Sequence, residues 1–259
     1  MPALIFCETP LCISPVWQPK REGDIDFTQP RPIKAKTRED IIVTSPTHLK
    51  IDFVSDVVCP WCAIGLKSLE QALQRLDGEV TTELHFQPFE LNPQMVPEGE
   101  NVAEHLAHKY GSTPEQMVKN QEGIRQRGAS LGFTFDMNKR SRIYNTFDAH
   151  RLLHWAELEG KQHALKLALL EAYFTKGEDV SSHDVLARVA GEVGLDTAKA
   201  REVLDSGRYA DEVRTQERFY QEQGVRAVPS VIVNGRYLIQ GGQPPEVFEQ
   251  TLRQIAAKS

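Results

Sequence analysis

The sequence predicts an α/β fold in which a βαβ unit and a ββα unit are separated by a large all-helical insertion. Three observations predict it. The stretch "LKIDFVSD" from Leu49 sets Leu49, Ile51 and Phe53 against Lys50 and Asp52, the two-residue period of a strand. The period then lengthens to that of a helix and shortens again at Val80. Strand character next returns at "AVPSVIVNGRYLIQGG", residues 227–242, after a segment, 101–223, that reads as helical throughout.

The first strand opens the core at His48, and Val54 adds apolarity on its second face, as expected of a largely buried strand. From Trp61 to Leu76 the residues Ile64, Leu66, Leu69, Ala72, Leu73 and Leu76 recur at helical spacing, and "DG" at 77–78 ends the run. "VTTELHFQPFELN" reads as a second strand, which makes a right-handed crossover with parallel strands. In the insertion, "NVAEHLAHKYG" stops at a glycine, and "TPEQMVKNQEGIRQRGASLG" opens with Thr113 as cap and Pro114 at the first helical position. A long helical pattern runs over "RIYNTFDAHRLLHWAELEG" and on through "QHALKLALLEAYFTKG". "SSHDVLARVAGEVGL", "DTAKAREVLDSG" and "RYADEVRTQERFYQEQG" complete it. "NG" at 234–235 marks a tight hairpin turn, and "PPEVFEQTLRQIAAK" is a final helix begun by proline. The core is expected at 48–95 and 224–257, with the insertion at about 101–223.

Residues 1–47 differ. Seven of the fifteen prolines fall there, and no helix or strand period survives them, so this segment is expected to be an extended or disordered arm. A chain of 259 residues can bury a full core without disulfide staples. A net charge of −6 with no basic stripe argues against nucleic acid or an anionic membrane as partner, and no apolar run reaches the length of a membrane span. The start, "MPALIFCETPLC", lacks a basic segment and is interrupted by Glu8, a poor secretory signal, so a cytoplasmic location is expected.

In a reducing compartment a close cysteine pair serves catalysis or metal binding more often than structure. Cys59 and Cys62 form C-P-W-C directly after the first strand and at the start of a helix. Several N–H groups there have no intrahelical partner, and the positive end of the helix dipole favours a thiolate, so the Cys59 pKa should be lowered. Pro60 suits the first turn because the N–H it lacks would be unsatisfied anyway. Cys62, three residues on, faces the same side and can attack a mixed disulfide formed on Cys59. Cys59 is thus expected to be the exposed attacking sulfur and Cys62 the more buried resolving one. Two other readings stand beside this one. A zinc clasp would need Cys7 and Cys12 as its second pair, and the cysteines could simply fill a core. The second element of interest is Pro229, which cannot donate to a sheet ladder. A cis Val228–Pro229 bond would leave the Val228 backbone free to pair with an extended peptide or glutathione, whereas a trans proline would merely begin an edge strand.

The segments "SDVVCPWCAIG", "FQPFELNP", "NTFDAHRL" and "GVRAVPSVIVNGRYLIQGGQPPEVF" together resemble the DsbA-like thioredoxin-fold proteins, specifically the FrnE-type dithiol-disulfide oxidoreductases and isomerases. The likeness covers residues 48–257. It implies a thioredoxin-like fold carrying a helical insertion, attack by Cys59, resolution by Cys62 and a cis Pro229 facing them. Ala63 departs from the pattern, since many relatives have an aromatic there. The same fold houses glutathione-dependent kappa-class transferases and hydroxychromene-carboxylate isomerases, whose key position usually carries serine. Their loop before the last helix helps hold glutathione. Here that loop is "GGQPPE", where Gly242 and Gln243 either contact a ligand or make a helix-capping turn.

His150 and His154 have metal-compatible spacing, but no third ligand is evident and no metal is expected. Asn145, Asp148 and Arg151 either line the face over Cys59 or hold the insertion together. Trp61 is read as an exposed aromatic that contacts substrate, together with Pro60 and Val228, and Trp155 as core. The expected function is thiol–disulfide exchange on protein or small-molecule substrates by a monomer or homodimer. No cofactor is expected to be tightly bound, and glutathione is a candidate co-substrate. The alternatives are a glutathione-dependent isomerase or transferase and a non-enzymatic binding protein or chaperone.

Overall fold

In the structure, a computed structural model describing residues 46–259, four strands form one mixed sheet. Cys7, Cys12 and nearly all of the proline-rich arm lie outside the described residues. Strand β1, Thr47–Ser55, runs parallel to β2, Val80–Pro88, and antiparallel to β5, Ser230–Val233. Strand β6, Tyr237–Gln240, closes the order β2-β1-β5-β6. Helix α1, Pro60–Arg75, makes the crossover from β1 to β2.

The alternation in β1 sets the layers. Leu49, Ile51 and Phe53 are buried in the main core, and Phe53 meets the ring of Phe86 from β2 edge-on at 5.8 Å. Val54, on the opposite face, joins Ile232, Val225 and Tyr220 in a smaller cluster beneath α8, Ala210–Glu222. Helix α9, Pro245–Ala256, buries Phe248, Leu252 and Ile255 beside α1. Burial of side chains of this size is worth about 1.5–3 kcal/mol each, which makes this face the main anchor of the C-terminal helix. At the hairpin between β5 and β6, Asn234 and Gly235 both take positive φ, and Arg236 N–H donates to Val233 O at 3.0 Å. Asn234 also extends the pairing with β1: its N–H donates to Lys50 O at 2.8 Å and its Oδ1 accepts from Lys50 N–H at 2.9 Å.

The insertion comprises α2 (Val102–Tyr110), α3 (Pro114–Ser130), α4 (Phe147–Leu158), α5 (Gln162–Glu171), α6 (His183–Glu192), α7 (Thr197–Ser206) and α8. Capping chemistry sets several boundaries. Asn101 and Asp196 cap α2 and α7, and Thr113 and Gln116 form a reciprocal capping box on α3. Two expectations need correction. Residues 101–223 are not helical throughout: β3, Glu100–Asn101, pairs with β4, Arg142–Ile143, as a short ribbon at the base of the insertion. The helix expected from Arg142 therefore begins only at Phe147, where Asn145 Oδ1 accepts from Phe147 N–H at 2.9 Å. The α5 pattern ends in a π-helical turn, Ala172–Lys176, that buries Tyr173 and Phe174. A half-buried latch joins insertion to core: Arg214 of α8 ion-pairs with the buried Glu90 after β2 and with Glu217, and its guanidinium lies 3.7 Å from the Phe147 ring centroid.

Candidate active site

The end of β1 delivers the dithiol. Ser55 and Asp56 are fully buried, and Asp56 shapes the turn before the cysteines. Its Oδ1 accepts from Val58 N–H at 3.4 Å, and its Oδ2 accepts at 2.7 Å from Leu91 N–H in the segment after β2. Cys59 is the N-cap of α1, with Pro60 following in the first turn, as the sequence requires. Its carbonyl accepts from Cys62 N–H at 3.1 Å, so the two residues sit on one turn. Both cysteines are free thiols.

The two sulfurs are electrostatically unlike. A hydrogen bond from the Cys62 thiol holds the Cys59 thiol below its usual pKa, against burial and the nearby Asp56 charge, with help from the N–H groups of Cys62 and Trp61. Burial pushes the Cys62 thiol well up, and donating to Cys59 raises it further. The expectation of an exposed Cys59 needs correction. It is 4% exposed against 0% for Cys62, so both residues are buried and Cys59 keeps only slight contact with solvent.

Facing the dithiol is the loop before β5. The Val228–Pro229 bond is cis, and Val228 O accepts a long contact from Cys59 Sγ at 3.8 Å. Gly65 makes this closeness possible, because a Cβ there would lie 3.0 Å from Pro229 Cγ and 3.4 Å from Gly242 Cα. Pro60, Trp61 and Val228 are half-buried at the rim. Gly242 packs directly on Trp61: a Cβ there would lie 2.9 Å from the Trp61 carbonyl oxygen. Arg127 of α3 covers the indole, with its guanidinium 5.6 Å from the ring, and donates to Gly242 O at 2.7 Å. Gln243 turns inward, its amide donating to Gln240 O at 2.8 Å and its N–H to Gly241 O at 2.9 Å. The Gly242 carbonyl, the Gln243 amide nitrogen and the Gln243 N–H are thus engaged within the chain, and Gly242 packs under Trp61.

The remaining singled-out residues separate. His150 is buried with Nε2 at 3.7 Å from Asp56 Oδ1, whereas the His154 ring packs at 5.0 Å on Tyr209, so the two imidazoles serve different neighbours. Asp148 bonds Arg151 and His183, and Arg151 donates to carbonyls of Val203, Leu204 and Arg208 at the end of α7. These groups hold the insertion together. Trp155 is buried, as expected. Among the described residues no cluster of three or more metal-ligating side chains occurs, and no helix is long and apolar enough to cross a membrane.

Sequence reasoning missed Asp56, Gly65 and Arg127. Asp56 and Gly65 were available as the acid three residues before Cys59 and the glycine inside an otherwise regular helix. Arg127 comes from the insertion and carries no local signal.

The comparisons with known proteins agree with this geometry. A model of the DSBA-like thioredoxin domain matches residues 50–253. The Bacillus subtilis (strain 168) protein YwbO is 29% identical over 206 residues, 79% of this chain and 95% of that one. The crystal structure of a probable DsbA oxidoreductase from Streptomyces coelicolor is 32% identical, with a TM-score of 0.77 over 82% of this chain and 92% of that one. The cytosolic disulfide reductase DsbM of Pseudomonas aeruginosa, in its structure with GSH, shares the fold at 18% identity and a TM-score of 0.55, covering 80% of this chain and 98% of that one. A strand that ends in a helix-capping C-P-W-C, a cis-proline loop opposite it and a family match across most of the chain converge, and this chain belongs to the DSBA-like thioredoxin domain family.

Proposed function

We propose that the protein exchanges disulfides with thiol- or disulfide-containing proteins or small molecules, using Cys59 as nucleophile and Cys62 as resolving thiol. The observation that carries this reading is the placement of two free thiols on the first turn of α1, facing the cis Val228–Pro229 loop, where Cys62 lowers the pKa of Cys59 and burial raises that of Cys62. The Cys59 thiolate attacks a substrate disulfide, a mixed disulfide forms and one substrate thiolate leaves. Cys62 then attacks Cys59, releasing the second substrate sulfur and leaving the pair oxidised. The same steps in reverse oxidise a substrate dithiol. Pro229 and Val228 wall the opening opposite Cys59, and Pro60 and Trp61 form its rim, with Trp61 held by Gly242 and Arg127. The cytoplasm is the proposed setting and glutathione the proposed small thiol that resets the pair, in keeping with the use of close cysteine pairs in reducing compartments.

The test is turnover of a peptide disulfide by the full chain and by Cys59→Ser and Cys62→Ser. The reading predicts no turnover without Cys59, and a trapped mixed disulfide on Cys59 without Cys62. Glutathione conjugation of an electrophile that survives Cys62→Ser, with no disulfide turnover by the unaltered chain, would favour a transferase instead.

A further inference from the structure

The face of the sheet turned away from α1 carries a cavity of about 440 Å3 beneath α8, walled by residues of β1, β2 and β5 and closed at one end by the hairpin turn at Gly235. Alternation along β1 separates it from the dithiol. Ile51 and Phe53 enter the main core with α1, whereas Lys50 and Asp52 line the cavity on the other side. Its volume is that of a small-molecule site. Asp52 is 8% exposed, a rare position for a carboxylate without a cation. Among the described residues it has no ion pair, and its Oδ1 accepts only from the Gln87 amide, at 3.0 Å. The basic groups of this face serve other acids: His48 and His85 face Glu83, and His85 also faces Glu157. Lys50 is exposed and stands in register with Glu83. The aromatic flank comes from α8. Phe219 is 49% exposed and meets the buried Tyr220 edge-on at 5.1 Å. Burial, then the Asp52 charge, pushes the Tyr220 phenol up, so it stays an O–H donor beside the carboxylate.

We propose that this cavity is a binding site, separate from the dithiol, for a small free amine: a primary ammonium group on an apolar body. A recessed carboxylate beside aromatic rings supplies both halves of such a ligand's recognition. The ammonium donates charge-assisted hydrogen bonds to Asp52, and the ring faces attract a cation as well. The apolar body lies against Ile232 and Phe219, which line the same space. A charge that is costly to bury alone becomes favourable once its counterion is bound, so the ligand relieves what the fold leaves uncompensated. The walls are held in advance. Asn234 bonds the Lys50 backbone through both its N–H and its Oδ1, and Gln87 fixes the Asp52 carboxylate across the parallel strands. Two acceptors and donors at fixed places on a rigid sheet favour one orientation of the ammonium over a loose apolar contact.

The test titrates phenethylamine, protonated at neutral pH, into the full chain by ligand-observed NMR, with 2-phenylethanol as its uncharged counterpart. The amine should bind with a Kd of about 1 mM or below, and the alcohol about tenfold more weakly or worse. Asp52→Asn keeps an acceptor for Gln87 and removes the charge, so it should weaken the amine about tenfold and leave the alcohol unchanged. Phe219→Ala, at an exposed position, should weaken both about threefold or more. Cys59→Ser should bind the amine as the unaltered chain does. Amine and alcohol binding alike, Asp52→Asn or Phe219→Ala holding the amine undiminished, or no saturation by about 10 mM would each overturn the proposal. Nα-acetyl-lysine amide, which sets the same ammonium on a peptide unit, should bind no more tightly than phenethylamine; tighter binding would hand the site to a protein lysine and overturn the assignment to a free amine. Should Asp52→Asn fail to fold, the amine and alcohol compared on the unaltered chain decide.

Discussion

Arg127 donates to the carbonyl of Gly242 at 2.7 Å while its guanidinium covers the ring of Trp61, so a residue of the insertion pins both sides of the active-site rim. A cation over an indole contributes about 0.5–1 kcal/mol at a partly open site and more when desolvated. Burial pulls the Arg127 pKa down, in line with a partly desolvated contact. Arg127→Ala should therefore slow disulfide exchange about threefold or more through misplacement of Trp61, with a change in stability of about 1 kcal/mol or less. Steady-state kinetics with a peptide disulfide and urea denaturation check the two halves.

Gly65 tests the closeness of α1 to the proline loop. Its missing Cβ would sit 3.0 Å from Pro229 Cγ, so alanine requires a few tenths of an ångström of accommodation and a larger side chain requires the loop to move. Gly65→Ala should change stability by about 1 kcal/mol or less, because helix propensity offsets the contact. Gly65→Leu should cost about 2–3 kcal/mol and lower activity in parallel. Denaturation midpoints of the pair, read beside exchange rates, check this.

The Cys62 thiol is the largest influence lowering the Cys59 pKa. Cys62→Ala should move the pH inflection of Cys59 alkylation upward by about one unit, and Cys62→Ser, which keeps a hydroxyl donor, by less. Alkylation rates across pH with mass-spectrometric readout check the order of the three proteins.

His183 joins α6 to α4 and α7 through Asp148 and Asp205, each at 2.9 Å. Burial lowers its pKa, but the two carboxylates outweigh burial and the net shift is upward. A folded pKa above the unfolded one means the added stability is fully present below the unfolded value and is lost as pH rises through the folded one. His183→Asn should therefore lose about 0.5–1 kcal/mol near pH 5.5 and almost nothing near pH 9, the side chains being partly solvent-screened. Urea denaturation at the two pH values checks it.

The sheet, the crossover and the dithiol were legible because each rests on local chemistry. The alternation of Leu49, Ile51 and Phe53, the proline after Cys59 and the "NG" at 234–235 each act within a few residues. The short ribbon of Glu100–Asn101 with Arg142–Ile143 was not, because two-residue strands carry no period and the helical residues around them dominate the pattern. The slight exposure of Cys59 and the placing of Arg127 depend on how the insertion folds back over the core, a relation between segments far apart in sequence. Gly242 and Gln243 are a case between: their loop was legible as a turn or a ligand contact, and the long-range bond from Arg127 occupies the Gly242 carbonyl.

The central claim is that the Cys59 thiol ionises below the ordinary thiol range because Cys62 and the start of α1 stabilise its thiolate. The most direct measurement is the rate of iodoacetamide labelling at each cysteine of the reduced full chain, resolved by mass spectrometry across pH. The account predicts labelling at Cys59 ahead of Cys62, with an inflection below the usual thiol value of about 8.5. Labelling of Cys62 first, or an inflection for Cys59 at or above that value, would contradict it.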